Sequence, residues 1–434
     1  MKDERTALRE LLARDPADIA DTLESLSEKQ ATELLHRLYL AGAAADALAE
    51  MDPEESAGLV RKLDRHVASA ILARMDPDDA VDLLEELPGD VRQELLSRLN
   101  SREAQLLTEL LAYPPDTAGG LMTPDVVAVS LSMTAQEAID VLRDRQETAG
   151  TVYYAYAVDD ANHLQGVLSL RDIALARPER SLGDLVIRDA VSVRVDQDAE
   201  DVARLFDKYG FFALPVLDSD GRLLGVITVD DVIDVIRDEA TEDMYYLASV
   251  PNAEGVDTSW WDSLRLRLPW LYLRLLAGVL AATVVGLFER SIVKAAALAV
   301  AMGVVAGQGG ASGMQTATIV TRGMALGEID RTRGGRLLVK EILLGIANGI
   351  LLGGTVAILL YVWKRQALLG VAVGVAMLLN VLLAGIIGVL IPLALRALGR
   401  DPAASSGLLL TAVGDAVGFA LVFLVAGLLV PGLR

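Results

Sequence analysis

The sequence predicts a multi-domain membrane protein: an all-α N-terminal helical solenoid, an α+β tandem repeat, a connecting helix and a five-helix α transmembrane domain. Three observations predict it. The 434-residue chain has a formal net charge of −21 although 53% of it is hydrophobic. The charge is unevenly held: residues 263–434 carry 15 Lys/Arg and 6 Asp/Glu, a net +9, which leaves 24 basic and 54 acidic residues, a net −30, to residues 1–262. The acidic part contains two kinds of internal repeat, and the basic part consists of long uncharged runs. A soluble acidic portion joined to a membrane portion is the reading that such a division supports.

Residues 1–118 read as short amphipathic helices. Leu48-Ala49-Glu50-Met51-Asp52-Pro53 and Leu72-Ala73-Arg74-Met75-Asp76-Pro77 look alike at a spacing of 24 residues, the mark of a small helical solenoid. Asp78 and Asp82 fall four apart on one helix face, where like charges repel unless a cation screens or bridges them. A solvated acidic surface is the plainer use of such residues.

A second repeat covers residues 119–187 and 188–238. Positions 127–142 align with 191–206 at an offset of 64, and Gly166-Val167-Leu168-Ser169-Leu170-Arg171-Asp172 aligns with Gly225-Val226-Ile227-Thr228-Val229-Asp230-Asp231 at an offset of 59. Each copy predicts strand, helix, two strands and helix, with a hydroxyl residue three positions before an Asp. This tandem pattern resembles a pair of CBS domains. In such pairs the hydroxyl and the Asp meet the ribose and phosphate of an adenine nucleotide in some members, and serve structure alone in others. A connecting helix follows at 239–264, acidic at its entrance.

The membrane portion, 265–434, has uncharged runs at 275–288, 295–321, 342–363, 366–395 and 402–433. All but the first exceed the roughly 20 residues that cross about 30 Å of hydrocarbon as a helix. The first reaches that length if its helix begins near Pro269 and Arg274 extends toward the headgroups. Arg265 and Arg267, then Arg331, Arg333, Arg336 and Lys340, then Arg396 and Arg400 share one side of a five-span topology, which the positive-inside rule makes cytoplasmic. The expectation is a multi-pass protein of the cell (inner) membrane, N-terminus cytoplasmic and C-terminus outside. Positions 1–14 hold no apolar signal-peptide core.

Asp415 is the one ionisable residue in the run 402–433. A carboxylate at mid-membrane costs about 2.5–3.5 kcal/mol on insertion scales, so it should face a cavity, a cation or a protein partner. Its surroundings, Val413-Gly414-Asp415-Ala416-Val417-Gly418, allow close helix approach and suit a hard cation with oxygen ligands. An Asp hydrogen-bonded between helices is the plainer reading. In the second run, Gly307-Gln308-Gly309-Gly310-Ala311-Ser312-Gly313-Met314-Gln315-Thr316-Ala317-Thr318 is expected to weaken a regular helix and expose carbonyls. Asn348 and Asn380 read as interhelical hydrogen-bonders.

The composition also excludes. With no cysteine there is no disulfide, thiolate zinc site, iron–sulfur cluster or cysteine nucleophile. A −30 half repels nucleic acid and attracts cations. An intramembrane aspartyl protease would need two carboxylates sharing a site. Asp330 and Asp401 fall in loops, and no enzyme is expected.

The order of these parts resembles the MgtE family of magnesium channels and transporters, over essentially the whole chain. Local matches are Ala118-Gly119-Gly120-Leu121-Met122-Thr123-Pro124, Glu239-Ala240-Thr241-Glu242-Asp243, Arg322-Gly323-Met324-Ala325-Leu326-Gly327-Glu328-Ile329 and Gly414-Asp415-Ala416-Val417-Gly418. The resemblance implies a homodimer in the lipid bilayer, with Mg²⁺ as substrate and as regulator. Asp415 would hold a largely hydrated ion at the dimer axis, and the connecting helix would act as a plug. The plug would close when cytosolic Mg²⁺ fills acidic sites at Asp78, Asp82, Asp198, Glu200, Asp231, Asp234, Glu239, Glu242 and Asp243. ATP contacts would map to Tyr154, Asp172, Phe211, Asp230 and Asp231. The chain departs from the family where Gly309-Gly310-Ala311 replaces Gly-Gly-Asn and where Gly407 replaces an Asn. Those losses leave open a transporter of altered selectivity, for Co²⁺ or Mn²⁺, beside a membrane-anchored CBS sensor that conducts nothing.

Overall fold

The computed structural model describes residues 8–144, 153–248, 250, 254–256, 258–325, 328–329, 331–400 and 402–433. It divides into two compact units, Met1–Ile236 and Arg237–Arg434.

The first unit begins with short helices: Pro16–Glu24, Glu28–Ala41, Ala44–Ala49, Pro53–Val60, Arg65–Leu72, Pro77–Glu85, Gly89–Leu96 and Ser101–Leu110. An Asp-Pro pair starts three of them, because the Asp carboxylate can accept orphan amide hydrogens while proline supplies a helical φ at the first position. The Asp15 side chain accepts from the Ala17 N–H at 3.2 Å and the Asp52 side chain from the Glu54 N–H at 2.9 Å. Asp76 is the exception, with no such bond. Leu23, Leu35, Leu38, Leu48, Ile71, Leu84 and Leu95 are fully buried between the helices.

Two three-stranded sheets follow: β1 (Ala128–Val129), β2 (Tyr154–Val158) and β3 (Leu164–Ser169), then β4 (Val193–Arg194), β5 (Ala213–Leu217) and β6 (Leu223–Thr228). In each, the first pair is parallel, the second antiparallel, and a register shift falls at the same place, Ala157/Val158 and Val216/Leu217. The expected strand–helix–strand–strand–helix order is present in both copies.

The expected boundary between the copies is crossed by the chain itself. Thr123, near the start of the first copy, bridges Val226 of the second, and Ile187, its counterpart at the offset of 64 and the last residue before the expected boundary, bridges Val167. A Cβ on Gly225 would lie 2.6 Å from the Thr123 carbonyl oxygen, and one on Gly166 would lie 2.6 Å from that of Ile187. Glycine therefore occupies the matching position of both copies. Ala118 and Gly119 also donate to the carbonyls of Gln197 and Val195. The motif 118–124 is thus built into the second copy.

The connecting helix differs from expectation. Helix continues directly from β6 as Val229–Leu247, and the first span's helix starts at Trp260. The predicted helix at 239–264 is therefore two helices, and Asp262 lies in the first turn of the span, where it accepts from Ser259. Ser249, 251–253 and Asp257 lie outside the described residues.

Among the described residues, the second unit holds five helices long and apolar enough to cross a membrane: Trp260–Gly286, Ala296–Met324, Gly334–Lys364, Ala367–Ala397 and Gly407–Leu429. The chain is a multi-pass membrane protein. A short helix, Glu289–Lys294, joins the first two spans. The fourth span is central, packing on the second, third and fifth, and the first packs on the fifth.

Small residues decide these contacts. Gly345, Gly349 and Gly353 lie four apart on one face of the third span and meet Leu382, Leu378 and Gly374 of the antiparallel fourth. A Cβ at Gly349 would lie 2.9 Å from the Leu378 Cα, and one at Gly353 would lie 2.4 Å from the Gly374 carbonyl oxygen. Such glycines bring backbones together where apolar side chains would gain nothing over lipid.

The glycine-rich segment of the second span, expected to weaken a regular helix, lies within one continuous helix, Ala296–Ala325. Its glycines make room for side chains from other spans.

Gly349→Leu is expected to destabilise the protein by about 1–3 kcal/mol or more, the usual cost of overpacking. Gly354→Leu, where an added Cβ meets nothing within 4 Å, is expected to be close to neutral. Thermal melting of the two variants in detergent micelles checks this pair; equal melting temperatures would remove the glycine seam from the account.

Candidate functional site

Carboxylates gather at two places, one in each unit. In the first unit the gathering follows from a shared core. Ala80, Val81, Leu83 and Leu84 of the helix Pro77–Glu85 are buried in the same cluster as Val202, Phe206, Ile227 and Val232 of the second repeat. That burial sets Asp78, Asp79 and Asp82 beside Asp230, Asp231 and Asp234.

Burial and the Asp231 carboxylate push Asp78 up to about 8, with Asp76 adding to the effect. Burial, then Asp78 and Asp231, push Asp79 up to about 8. Burial, then Asp231, Glu85 and Asp234, push Asp82 up to about 7. Asp231 is raised to about 6, mainly by burial, against the lowering effect of the Thr228 hydroxyl. Asp76 is raised as well, by burial, Asp46 and Asp230. No lysine or arginine is among the principal charges acting on Asp78, Asp79 or Asp82. One oxygen of Asp78, Oδ1, is buried without a hydrogen-bond partner.

The sequence reading named Asp78, Asp82, Asp231 and Asp234, and the fold brings these four together. It missed Asp76 and Asp79, whose signal was the run Asp76-Pro77-Asp78-Asp79 at a helix start. Asp198 and Glu200 are engaged elsewhere: Asp198 caps the helix Ala199–Tyr209 by accepting from the Glu200 N–H at 2.9 Å, and Glu200 pairs with Arg204 at 2.5 Å. Glu239 and Glu242 follow on the helix Val229–Leu247, within the second unit. The side chain of Asp243 lies outside the described residues. Among the described residues no three His, Cys, Asp or Glu side chains converge closely enough to enclose a bare metal ion.

The nucleotide-type residues lie at one shared end of the repeat pair. Equivalent hydrogen bonds, Leu170 N–H to Tyr153 O and Val229 N–H to Phe212 O, tie each strand start to its following helix. Tyr153 and Phe212, also equivalent, stack on each other with ring centroids 4.9 Å apart. Tyr154 is paired in register with Ser169, and Phe211 stacks on Tyr209 at 5.3 Å. The two hydroxyl–Asp pairs differ. Thr228 Oγ1 donates to Asp231 at 2.6 Å, closing the pair on itself. Ser169 makes no side-chain cap, and Asp172 is 46% exposed beside Arg171. Asp172 is the open member, whereas Asp231 is committed to the acidic cluster and Asp230 is exposed beside it.

In the membrane unit, Asp415 lies half-buried on the fifth span. Gly414 faces Gly310 of the second span, its Cβ position 3.8 Å from the Gly310 Cα. One turn on, a Cβ at Gly418 would meet Ala306 Cα at 2.9 Å and Asn380 Nδ2 at 3.2 Å. Asn380 of the fourth span is 1% exposed and donates through Nδ2 to the Val305 carbonyl at 2.7 Å. It fills the space that Gly309 leaves, and so acts as an interhelical hydrogen-bonder at the junction of three spans. The sequence reading also passed over Glu341, which is 6% exposed and accepts from Thr316 Oγ1 at 2.8 Å. Its position one residue before the uncharged run 342–363 had placed it at a loop edge, but the helix Arg331–Lys364 carries it inside the bundle.

Comparison with known proteins follows the same division. The family model described as MgtE, a divalent cation transporter, matches residues 302–425. That of the MgtE intracellular N domain matches 14–116, and that of the CBS domain matches 118–179 and 182–238. The chain is 40% identical over 328 residues to the magnesium transporter MgtE of Thermus thermophilus, covering 74% of this chain and 71% of that one. It is 32% identical over 426 residues to the magnesium transporter MgtE of Bacillus subtilis, covering 98% and 94%. A crystal structure of the soluble part of a magnesium transporter superposes with a TM-score of 0.52 at 37% identity, over 55% of this chain and 94% of that one. The cytosolic domain of the Mg²⁺ channel MgtE in complex with ATP superposes with a TM-score of 0.50 at 38% identity, over 54% and 95%. Matched in order from its intracellular helices through its CBS pair to its membrane spans, the chain belongs to the MgtE family of divalent cation transporters.

Proposed function

We propose that the protein is a Mg²⁺-selective channel or transporter that admits divalent cations into the cytoplasm and is closed by cytosolic Mg²⁺ at acidic domain interfaces. The observation that carries the reading is the carboxylate of Asp415 beside the glycine-lined meeting of the fifth and second spans. A homodimer would place two such carboxylates about one axis. Mg²⁺ gives up its water reluctantly and is held through one or two carboxylates with several waters retained, so a wide, weakly enclosing site suits it. Asn380 packs between the second and fifth spans at Gly309 and Gly418, one turn beyond the meeting of Gly414 with Gly310.

The acidic cluster serves as the sensor in this reading. Asp76, Asp78, Asp79, Asp82, Asp231 and Asp234 repel one another until divalent ions bridge them, and Glu239, Glu242 and Asp243 complete the proposed sensor set by their family-type positions in the sequence. Asp198 and Glu200 would join only after giving up their cap and their arginine. The open Asp172, with Tyr154, Phe211, Asp230 and Asp231, forms the proposed ATP site, supported by the ATP bound to the cytosolic domain of the related channel. The orientation with N-terminus cytoplasmic and C-terminus outside fits the basic residues before the first span.

Linkage supplies one test. Asp78, Asp79, Asp82 and Asp231 hold protons more tightly folded than unfolded, so between the ordinary value of 3.8 and about 8 the folded unit binds more protons than the unfolded chain. Stability therefore falls as pH rises through that window. Without divalent cations, the melting temperature of the cytosolic unit in the full chain should drop between pH 5 and pH 8, and millimolar Mg²⁺ should restore it at pH 8. Asp78→Asn should raise it at pH 8 by about 2–4 °C, the shift that ~1 kcal/mol makes in a unit of 150–250 residues. A melting temperature that climbs with pH would remove the cluster from the gate.

Flux supplies the other. In proteoliposomes, Asp415→Ala should abolish Mg²⁺ uptake while the protein stays folded, and the wild type should carry Mg²⁺ in preference to Mn²⁺, Co²⁺, Ca²⁺ and Na⁺. Undiminished uptake by the variant counts against Asp415. A wild type that binds Mg²⁺ without flux would favour the sensor reading.

A further inference from the structure

Glu341 has no role in the arrangement built around Asp415. It lies within the third span, 6% exposed, and the single hydrogen bond described for its side chain is from the Thr316 hydroxyl. Among the described residues it has no ion-pair partner. An ionised carboxylate offers about four lone-pair sites, so one hydroxyl leaves most of its acceptor capacity unused. A charge so placed within a membrane bundle persists only when a partner neutralises it.

Three spans meet around it, and the fourth contributes glycines in place of walls. A Cβ at Gly385 would lie 4.0 Å from Glu341 Oε2, and one at Gly388 would lie 2.9 Å from Thr316 Cβ and 2.7 Å from the Gly313 carbonyl oxygen. The groups joined here are a carboxylate and a hydroxyl, with the Gly313 carbonyl about one turn back from Thr316 on the second span. All are hard oxygen donors of the kind that Mg²⁺ and similar cations select. Thr316 also stands six residues beyond Gly310, the residue that Gly414 faces, so the two carboxylates sit at levels about 9 Å apart along the second span at 1.5 Å per residue.

We propose that Glu341, with Thr316, is a second divalent-cation station in the membrane unit, one step along the second span from Asp415. It rests on the transport reading above. Ions that pass between two sites of moderate strength can enter and also leave, which conduction requires.

Two variants separate a cation station from a structural clamp. Glu341→Gln keeps the side chain's volume and its acceptor for the Thr316 hydroxyl and removes only the charge. Thr316→Val removes the hydrogen bond and leaves the charge. In proteoliposomes, Glu341→Gln should raise the half-saturating Mg²⁺ concentration by at least the roughly 10–100-fold that loss of even an outer partner costs a metal site. Thr316→Val should have the smaller effect, and Glu341→Asp should recover part of the loss. Infrared difference spectra of the detergent-solubilised full chain, with and without Mg²⁺, should show a carboxylate band change that survives Asp415→Ala and disappears in Glu341→Gln. An unaltered half-saturation and an unaltered band in Glu341→Gln overturn the proposal, as does a Thr316→Val protein more impaired than Glu341→Gln. If the wild type carries no Mg²⁺ at all, the transport reading fails on its own, and the infrared band still decides whether Glu341 binds the ion.

Discussion

Burial of Leu84 and Val232 in one core holds the acidic helix Pro77–Glu85 against the start of the helix Val229–Leu247. The apolar faces gain by meeting, while the carboxylates riding on the same helices lose by it. Asp78, Asp79 and Asp82 respond by holding protons near neutral pH, and Asp78 keeps one oxygen unpartnered. A protein seeking stability alone would have placed a lysine there. Left uncompensated, the repulsion is a standing cost that the apolar contact has to outweigh.

The membrane unit meets a related problem with different means. Hydrocarbon offers no hydrogen bonds, so a polar side chain inside it takes a partner from its own helix, as Thr318 and Thr355 do, or from another. Asn380 finds the Val305 carbonyl and Glu341 finds Thr316, and both contacts exist because glycine at a facing position lets the backbones come near. The glycine-rich second span is therefore a regular helix whose missing side chains make the space that Asn380 occupies. The sequence argument that glycines would break this helix weighed local propensity and omitted the neighbours that hold it.

Much of the fold was legible because its signals are local or periodic. The Asp-Pro helix starts, the 59-residue offset between Gly166 and Gly225, and the uncharged runs each follow from chain geometry over a few residues or from simple repetition. What escaped were consequences of contact. The exchange of Thr123 and Ile187 between the two repeats cannot be seen from either repeat alone. The span boundary at Glu341 was misplaced because a charge reads as a loop edge until a neighbouring helix supplies its partner. The assignment of Asp198 and Glu200 to the acidic cluster came from family likeness, and the structure engages both in a helix cap and an ion pair that sequence spacing would also have allowed.

The sequence by itself determined the division into an acidic N-terminal part and a basic five-span part, the two kinds of repeat and the isolation of Asp415, since charge count, period and run length are properties of the chain. Only the tertiary structure decided which carboxylates share a neighbourhood. Asp79 joins Asp78, Asp231 lies among the carboxylates of the helix Pro77–Glu85, and Glu341 sits inside the bundle. The reason is that electrostatic energy depends on distance through space and on the surrounding dielectric, and both are set by how buried apolar faces dock, which no spacing along the chain records.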